Sequence, residues 1–390
     1  MAPTGKKFRL VLVHSLIWLG IGVIFCQNRY LLSTEVKVVL DVSIVDKETR
    51  PPQSSANDEN QTVNSDFSNS ESHDDKESLQ RIDKKYCTRE EIQKGHWSLI
   101  QRPEAPYTAT ETWESKCYIH GARAGDLLKK PFQDYEWLVP SDCIYNQFDI
   151  NRFCQIVGNR TIALFGDSLA YQQYNSLVYI TNATEKIRER AQCLSTVCNN
   201  KLVWKRDNSA SARGMNIMIR QMDPEIIVFN RGAHFTDDQK LIQELTATLE
   251  VALVWQQDCD KRKRNCILLW RSTAPGFPAC SEYQSPLTDP SKAKDIIKNM
   301  SWYEKDEQRL QYHWWDFSTQ NTLVEGLIQR YVEQKQLRIH FLDFYDMAIL
   351  RPDNHASDSD CLHWCLPGPM DAVNTLLLHM LEKENFKRNQ

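Results

Sequence analysis

The sequence predicts an α/β fold in which a mostly parallel β-sheet is covered by helices on both faces. Short apolar and β-branched runs alternate with helical patterns between residues 162 and 381, and this alternation is typical of parallel sheets. The predicted strands are residues 162–165, 226–229, 267–270 and 339–344, and the predicted helices are residues 169–179, 241–255, 322–334 and 370–381. Residues 161–177 read as strand, tight turn and helix. That pattern places polar side chains at the carboxyl end of a strand, where open α/β sheets have their sites.

The N-terminal segment predicts a membrane anchor. Residues 8–25 are 18 almost continuously apolar residues, which is just long enough to cross a bilayer as a helix. More positive charge lies before or at the start of this run (Lys6, Lys7 and Arg9) than directly follows it (Arg29), which predicts a cytosolic N-terminus and a lumenal remainder. We expect a cytosolic tail at 1–7 and a signal anchor at 8–26. A cleaved signal peptide is the alternative.

A polar segment separates the anchor from the folded part of the chain. Residues 51–78 are dominated by Ser, Asn, Asp, Glu, Gln and Pro, with Val63 and Phe67 as the sizeable apolar side chains. Such a composition buries too little apolar surface to offset the entropy of ordering the chain. We expect a flexible, disordered lumenal stem at 27–85, followed by a single catalytic domain at 86–390.

The cysteines and the glycosylation sequons agree with a lumenal domain. Of twelve cysteines, eleven lie at or beyond Cys87, and in an oxidising lumen they predict a disulfide framework with at least one thiol left over. Four Asn-x-Ser/Thr sequons begin at Asn60, Asn159, Asn182 and Asn299, of which Asn159 lies close to the first predicted strand and is the one expected to be blocked. The net charge of −4 gives no electrostatic reason to bind nucleic acid.

Candidate catalytic residues follow the first predicted strand. The strand ends in Gly166, Asp167 and Ser168. A serine hydroxyl becomes a nucleophile when a base takes its proton and a third group orients that base. His363 and Asp360, just before the last predicted helix, supply both functions. The alternatives are that Asp and Ser at the turn are helix caps and that Asp-x-x-His is a solvated loop.

Two cysteines flank the candidate histidine. Cys361, His363 and Cys365 carry side chains of the kind that bind zinc. The spacing lacks a C-x-x-C pair, and no second Cys/His pair is near. We therefore expect no metal, and one or both cysteines in disulfides that hold residues 360–363 over Ser168.

Longer motifs surround the candidate residues. They are GDSLxxxQ at 166–173 and DCLHWCLPG at 360–368, with Gly-His-Trp at 95–97, Pro-Tyr at 106–107 and Glu-Trp-x-x-Pro-x-x-Cys at 136–143 upstream. Together they resemble the trichome birefringence-like group of the PC-esterase family, within the wider SGNH (GDSL-type) hydrolases, over roughly residues 87–381. The resemblance implies an SGNH-like fold. It also implies a catalytic triad and supporting motif residues, which are Ser168, His363 and Asp360, and Gly166, Asp167 and Gln173.

The resemblance also implies donors for a transition-state oxyanion. SGNH enzymes keep an asparagine where this chain has Asn230, and its amide would join the backbone N–H of Ser168 around the developing charge. A turn asparagine is the alternative. Gly214 is a second candidate donor. Plant members of the group read x-Arg-Asn-Gln after GDSL, whereas Tyr171 and Gln172 stand here, so Gln172 is a candidate substitute for the asparagine amide and nothing obvious replaces the arginine.

The resemblance implies an enzyme that handles O-acetyl groups on glycans in the Golgi. We expect Ser168 to be acylated and then relieved by a sugar hydroxyl, as in an O-acetyltransferase, or by water, as in a carbohydrate acetylesterase. A non-catalytic lumenal glycan-binding protein is the third hypothesis. The expected partners are a glycan or polysaccharide acceptor, an acetyl donor as co-substrate and a transporter of that donor, with no bound cofactor. The expected location is the Golgi membrane, as a single-pass type II protein whose oligomeric state stays open.

Several aromatic residues are candidates for stacking on sugar rings in an open groove, although such residues are more often part of a core. They are Trp204, Trp302, Tyr312, Trp314 and Trp315. The loop at residues 270–277 follows another predicted strand and is expected to line the same groove.

Overall fold

A seven-stranded β-sheet forms the centre of the fold. The computed structural model describes residues 85–101, 106–107, 135–140, 142–189, 191–304, 310–357 and 360–388. The strands in these ranges are β1 (His96–Leu99), β2 (Tyr135–Leu138), β3 (Ile162–Gly166), β4 (Thr184–Glu189), β5 (Gln192–Val197), β6 (Asn200–Arg206), β7 (Ile226–Phe229), β8 (Ile267–Arg271), β9 (Ile339–Leu342), β10 (His355–Ser357) and β11 (Asp360–Trp364). The large sheet has the order β4-β5-β6-β3-β7-β8-β9, while β1 pairs with β2, and β10 with β11, in separate two-stranded ribbons.

Most of the large sheet is parallel. Strands β6, β3, β7, β8 and β9 are parallel neighbours, and β5 pairs antiparallel with both β4 and β6 at one edge. The middle strand, β3, pairs with β6 through Gly166 and Arg206 and with β7 through Phe165 and Phe229. All five residues of β3 are buried, as expected for a parallel strand that is covered on both faces. Ser168 comes two residues after β3 and therefore lies at the carboxyl edge of the sheet.

Helices cover both faces of this sheet. They are α1 (Arg89–Gln93), α2 (Ile150–Val157), α3 (Ser168–Ile180), α4 (Ala212–Met222), α5 (Asp238–Lys261), α6 (Pro290–Lys298), α7 (Phe317–Lys335), α8 (Tyr345–Ile349) and α9 (Pro369–Arg388). Alternate side chains of β3 point to opposite faces. Ile162 and Leu164 pack with apolar residues of α3 and α9, whereas Ala163 and Phe165 pack with residues of α4, α5 and α7. The predicted α/β fold with a mostly parallel, helix-covered sheet is confirmed.

Every predicted strand and helix is present; all four predicted helices are longer than predicted, and the strand predicted at 339–344 ends at Leu342. The helix predicted at 241–255, for example, begins at Asp238 because the Asp237 side chain caps it by accepting from the Lys240 N–H. The sequence did not reveal the antiparallel β4 and β5, β6 or helix α4. Strand β4 lies at the sheet edge with no fully buried residue, so it lacks the apolar run by which buried strands are recognised.

The segment before β3 is attached to the C-terminal half of the chain. The Arg89 guanidinium donates to Asp343 at 2.7 Å and pairs with Glu325. The Trp97 indole N–H donates to the Met347 carbonyl at 2.9 Å. These long-range contacts hold α1 and β1 against α7 and α8, so the N-terminal motifs belong to the same folded unit as the sheet.

Several expectations concern residues outside those described. They are the tail at 1–7, the anchor at 8–26, the sequon at Asn60 and, apart from Lys85, the stem at 27–85. Among the residues that are described, no helix is both long and apolar enough to cross a membrane. The anchor, the stem and the lumenal orientation therefore stay predictions.

Disulfides link distant parts of the chain. The described pairs are Cys87–Cys143, Cys154–Cys198, Cys259–Cys266 and Cys280–Cys361, and Cys365 is also disulfide-bonded. Cys193 is buried outside any disulfide, and its Sγ lies 3.9 Å from the Glu189 carbonyl oxygen. The predicted disulfide framework, with a thiol left over, is confirmed for the cysteines of the described ranges.

Because two histidines are buried, we expect the free energy of unfolding to fall in mild acid. Burial lowers the pKa of His355 to about 3 and that of His379 to about 4, whereas both titrate near pH 6.5 in an unfolded chain. Between those values the unfolded state binds more protons than the folded state, so the free energy of unfolding falls as the pH falls. Each histidine contributes a slope of up to about 1.4 kcal/mol per pH unit.

Urea unfolding of the wild type and of His379→Gln, at several values between about pH 7 and pH 4, checks this prediction. The variant should lose about half of the slope. At neutral pH it should lose only the stability that comes from the hydrogen bond between Nε2 and the Cys87 carbonyl and from the ring contacts with Tyr86 and Tyr145. Identical slopes in the two proteins would contradict the assignment.

Candidate active site

Ser168 is the first residue of α3, just after the tight turn that ends β3. Gly166 has a φ of 156°, and a Cβ at this position would lie 3.0 Å from the Asn230 carbonyl oxygen, so the turn favours glycine. Asp167 caps α3 by accepting two backbone N–H hydrogen bonds from the first turn, at 2.9 and 3.3 Å. Gly166 and Asp167 thus fix the position of the serine.

Ser168, His363 and Asp360 form a hydrogen-bonded chain. Ser168 Oγ lies 2.8 Å from His363 Nε2, and His363 Nδ1 lies 2.9 and 3.0 Å from the two carboxylate oxygens of Asp360. Ser168 is half-buried, and the His363 side chain is 20% exposed, so a substrate can reach both. The structure brings the three predicted residues together in the order that a serine–histidine–acid relay requires.

Asp360 is held in its charged form. Burial raises the pKa of Asp360, but the hydrogen bond and charge of His363, with backbone N–H groups, outweigh burial and lower the pKa to about 2. The N–H groups of His363 and Leu362 donate to Asp360 Oδ1 at 3.1 and 3.3 Å. An ionised carboxylate beside Nδ1 keeps the proton on that nitrogen, which leaves the Nε2 lone pair for the serine proton.

His363 lies on a strand and not in the loop that the sequence suggested. Strand β11 pairs antiparallel with β10, with His355 opposite Trp364. The Cys280–Cys361 disulfide attaches this ribbon to the segment after β8. Because Cys361 lies two residues from His363, the disulfide directly restrains the strand that carries this histidine.

The two cysteines beside His363 are committed to disulfides. Cys361 is bonded to Cys280, and Cys365 is disulfide-bonded as well. Neither therefore offers the thiolate that a zinc site would need. Of the two sequence hypotheses, the structure supports the one in which disulfides hold the Asp360–His363 segment.

Removing the Cys280–Cys361 disulfide is expected to destabilise the protein and to slow the reaction of Ser168 with an activated ester. The cysteines are 81 residues apart, and the chain-entropy relation gives a loss of about 4.5 kcal/mol for a loop of that length. Urea unfolding and the rate of Ser168 acylation in a Cys280→Ser, Cys361→Ser double variant measure the two effects.

The Cys259–Cys266 pair provides the matched control. Its separation is 7 residues, for which the same relation gives about 2.5 kcal/mol, and it joins the end of α5 to the start of β8, at the edge of the sheet opposite Ser168. Its double serine variant should lose stability and keep the acylation rate under folding conditions. Equal losses of acylation in both variants would contradict a local role for Cys280–Cys361.

The predicted oxyanion donors Asn230 and Gly214 are engaged elsewhere. Asn230 is buried, and its Nδ2 donates to the Arg271 carbonyl at 2.7 Å and to Thr273 Oγ1 at 3.0 Å, which uses both amide hydrogens. The Gly214 N–H donates to Ser211 Oγ at 3.0 Å, within the cap of α4. This arrangement therefore does not support an oxyanion role for either residue.

The third candidate, Gln172, pairs with the backbone of Trp364. Its Nε2 donates to the Trp364 carbonyl at 2.7 Å, and its Oε1 accepts from the Trp364 N–H at 3.0 Å. The amide thus joins α3 to β11 and does not face an oxyanion. The Ser168 N–H lies at the positive end of α3, where a developing negative charge is favoured. Of the predicted oxyanion donors, it is the one whose position is consistent with that role.

Arg271, part of the loop expected to line the groove, supports the first turn of α3 instead, a role that sequence reasoning did not assign to it. It is fully buried, and its Nη1 donates to the Leu169 carbonyl at 3.0 Å and to Gln173 Oε1 at 3.1 Å. Burial lowers the pKa of Arg271 to about 10, while the charge of Asp167 raises it. A positive charge therefore lies behind the first turn of α3, held by the motif residue Gln173. The available signal was a charged residue at the carboxyl end of a strand predicted to be buried.

The aromatic residues predicted to face sugars divide into two groups. Trp204 and Trp314 are core residues, 5% and 3% exposed, whereas Trp302, Tyr312 and Trp315 are half-buried. Residues 270–277, expected to line the groove, are all buried. That loop supports the site from inside and does not form an open wall.

Three predicted glycosylation sequons lie in the described ranges. Asn159, Asn182 and Asn299 are all exposed. Asn159 was expected to be blocked because it is close to β3. It lies before the strand, at the end away from Ser168, and its side chain is exposed. Glycosylation at these residues stays a prediction.

Comparisons with known proteins agree with the motif resemblance. Residues 217–380 match the model of PC-Esterase, described as a GDSL/SGNH-like acyl-esterase family found in Pmr5 and Cas1p. The protein trichome birefringence-like 20 of Arabidopsis thaliana is 23% identical over 378 residues, covering 76% of this chain and 73% of the relative. Xyloglucan O-acetyltransferase 3 of Populus trichocarpa is 22% identical over 321 residues, covering 65% of this chain and 77% of the relative.

Among solved structures, a GDSL-like lipase from Bacteroides thetaiotaomicron matches with a TM-score of 0.32 and 10% identity, covering 59% of this chain and 89% of that one. The family match spans Asp360 and His363, and the longer sequence matches extend beyond it. With the GDSL and DCLHWCLPG motifs, the sequence matches show a PC-esterase domain over residues 217–380 and a similarity of the longer chain to the trichome birefringence-like proteins.

Proposed function

We propose that this protein is an O-acyltransferase that moves an acetyl group to a hydroxyl of a polysaccharide through an acyl-Ser168 intermediate. The observation that carries the proposal is the hydrogen-bonded chain from Ser168 Oγ through His363 to Asp360. The names of the relatives, which include xyloglucan O-acetyltransferases, support acetyl as the group transferred and a polysaccharide as the acceptor.

The first half-reaction acylates the serine. His363 Nε2 takes the proton from Ser168 Oγ as this oxygen attacks the carbonyl carbon of the acetyl donor. The resulting oxyanion lies against the Ser168 N–H at the start of α3. The intermediate collapses when the donor's leaving group departs with the proton from Nε2. Asp360 stabilises the charged imidazole throughout.

The second half-reaction returns the serine to its starting state. A sugar hydroxyl gives its proton to Nε2 and attacks the acyl-serine carbonyl. Ser168 Oγ then leaves and recovers the proton from Nε2. Water in place of the sugar gives acetate, so hydrolysis is the alternative outcome of the same site, and exclusion of water decides between them.

We further propose that the reaction takes place in the Golgi lumen, on a domain held by the predicted anchor at 8–26. The disulfides support an oxidising compartment, where such bonds form and persist. The acetyl donor is a co-substrate, and its delivery across the membrane requires a transporter as partner.

The test is acetyl transfer by the full-length chain, produced in a secretory host and purified in detergent. The protein is incubated with an activated acetyl ester and a panel of oligosaccharides, and intact protein and products are followed by mass spectrometry. Acetyl that passes from Ser168 to a sugar supports the transferase. Release as acetate alone supports the esterase, and the absence of both acyl-enzyme and product supports a glycan-binding protein.

A further inference from the structure

We infer that Gln172 is a positioning residue that holds His363 against Ser168. The inference rests on the proposed function, in which these two side chains exchange a proton. It assigns to Gln172 a role in aligning the base, where the sequence suggested an oxyanion donor.

The need for such a residue follows from the topology. Ser168 belongs to α3, which packs on the seven-stranded sheet, whereas His363 belongs to the two-stranded β10–β11 ribbon. The nucleophile and the base are thus carried by separate units. A small shift of the ribbon along α3 would break the 2.8 Å contact between Ser168 Oγ and His363 Nε2, and misplacement by about 1 Å costs a reaction of this type on the order of 100-fold.

Gln172 joins the two units next to the reacting atoms. It lies four residues after Ser168, on the same face of α3, and it contacts Trp364, the residue after His363. Its amide donates to the Trp364 carbonyl at 2.7 Å and accepts from the Trp364 N–H at 3.0 Å. Two antiparallel hydrogen bonds to one residue fix both the distance and the register of the strand, as they do between neighbouring strands of a sheet.

The surroundings make this contact rigid. Gln172 is 0% exposed and Trp364 is 1% exposed, so water does not compete for the two hydrogen bonds. On the other side of β11, the His355 ring stacks on Trp364 with centroids 4.0 Å apart, and its Nδ1 lies 3.2 Å from the His363 carbonyl oxygen. Because a carbonyl only accepts, Nδ1 is the donor. The backbone of residues 363 and 364 is therefore held from two sides.

Gln172→Met tests the inference, because methionine fills a similar volume and makes neither hydrogen bond. We expect the rate constant for Ser168 acylation by an activated acetyl ester to fall about 10- to 100-fold, with the KM for the ester changed less than about twofold. Gln172→Asn keeps a buried amide but is one methylene too short to reach Trp364. It should show the same fall in the acylation rate constant with little change in KM, and it replaces the methionine variant if that variant does not fold.

Tyr174→Phe is the matched control. Tyr174 is a fully buried residue of the same helix, and its hydroxyl bonds to Ser195 Oγ at 2.6 Å, away from β11. This variant should lose thermal stability to a similar extent and acylate at the wild-type rate. An equal fall in acylation would mean that Gln172 acts only through the general stability of α3 and would overturn the inference.

A second readout does not depend on the reaction. His363 Nδ1 lies 2.9 Å from Asp360 Oδ2, so we expect the proton between them to give a downfield NMR signal in selectively ¹⁵N-histidine-labelled protein, with a shift that depends on the alignment of the imidazole. We expect this signal to move or broaden in Gln172→Met and to stay in place in Tyr174→Phe. An unchanged signal together with wild-type acylation overturns the inference. If the wild type does not acylate, the proposed function fails while the NMR comparison still tests Gln172.

Discussion

Ser168→Ala is expected to lower acetyl transfer by at least about 10⁴-fold and to abolish the acyl-enzyme. Ser168 Oγ lies 2.8 Å from His363 Nε2, and alanine leaves no atom there to attack an acetyl carbonyl. The rate of product formation and the intact mass of the protein after mixing with an activated acetyl ester measure the two effects. Because Ser168 is half-buried at the start of α3, the melting temperature should change little.

Ser176→Ala is the matched control for this substitution. Ser176 lies two turns further along α3, and its Oγ donates to Asp371 at 2.5 Å. The same Oγ accepts from Asn374 Nδ2 at 2.9 Å, so removing both bonds should cost about 1–3 kcal/mol of stability and leave the acyl-enzyme intact. A Ser168→Ala protein that still carried acetyl at another residue, or that still transferred it, would rule out the proposed mechanism.

Asp360→Asn is expected to lower the acylation rate by about 10⁴-fold while the protein stays folded. An asparagine amide in this position would present an N–H to His363 Nδ1. The imidazole would then accept on Nδ1 and carry its proton on Nε2, which leaves no lone pair for the Ser168 proton. The acylation rate as a function of pH, beside the circular dichroism spectrum of the variant, measures the loss and checks the fold.

The same substitution has a defined effect on stability. Because the pKa of Asp360 is lowered to about 2 by contacts that outweigh burial, its carboxylate stabilises the folded state above the unfolded pKa of about 4, and this contribution is lost as the pH falls through 2. Asp360→Asn should therefore be less stable than the wild type at neutral pH, and the difference should shrink in acid. Asp260→Asn, which removes a half-exposed partner of Arg338, is the charge-matched control and should acylate normally.

The main elements of the fold were predictable because their signals are local. A fully buried parallel strand such as β3 must be apolar along its whole length, and a helix that covers it must present an apolar stripe, so both appear in a window of about ten residues. Strand β4 was not recognised in the sequence, because an edge strand with no fully buried residue carries no apolar run. Strand β11 was missed because only Cys361 and Trp364 of its five residues are buried, so it carries no continuous apolar run.

For the candidate site, too, the features with a local sequence signal were predictable and the others were not. The sequence by itself made Ser168, His363 and Asp360 the candidates, because a serine after a buried strand and an Asp-x-x-His before the last helix are patterns of residue type and spacing, and the resemblance of the surrounding GDSL and DCLHWCLPG motifs strengthened that prediction. It also determined the α/β class and the expectation of disulfides. Each of these depends on neighbours in the chain.

Only the tertiary structure decided where hydrogen bonds between distant residues are made. Asn230 and Gln172 both looked like free amides in the sequence, yet the first is used by Arg271 and Thr273 and the second by the backbone of Trp364. A side-chain amide carries two donors and one acceptor whatever its surroundings. Which partners it meets is set by packing between elements that lie up to 192 residues apart, and no pattern in a local window records it.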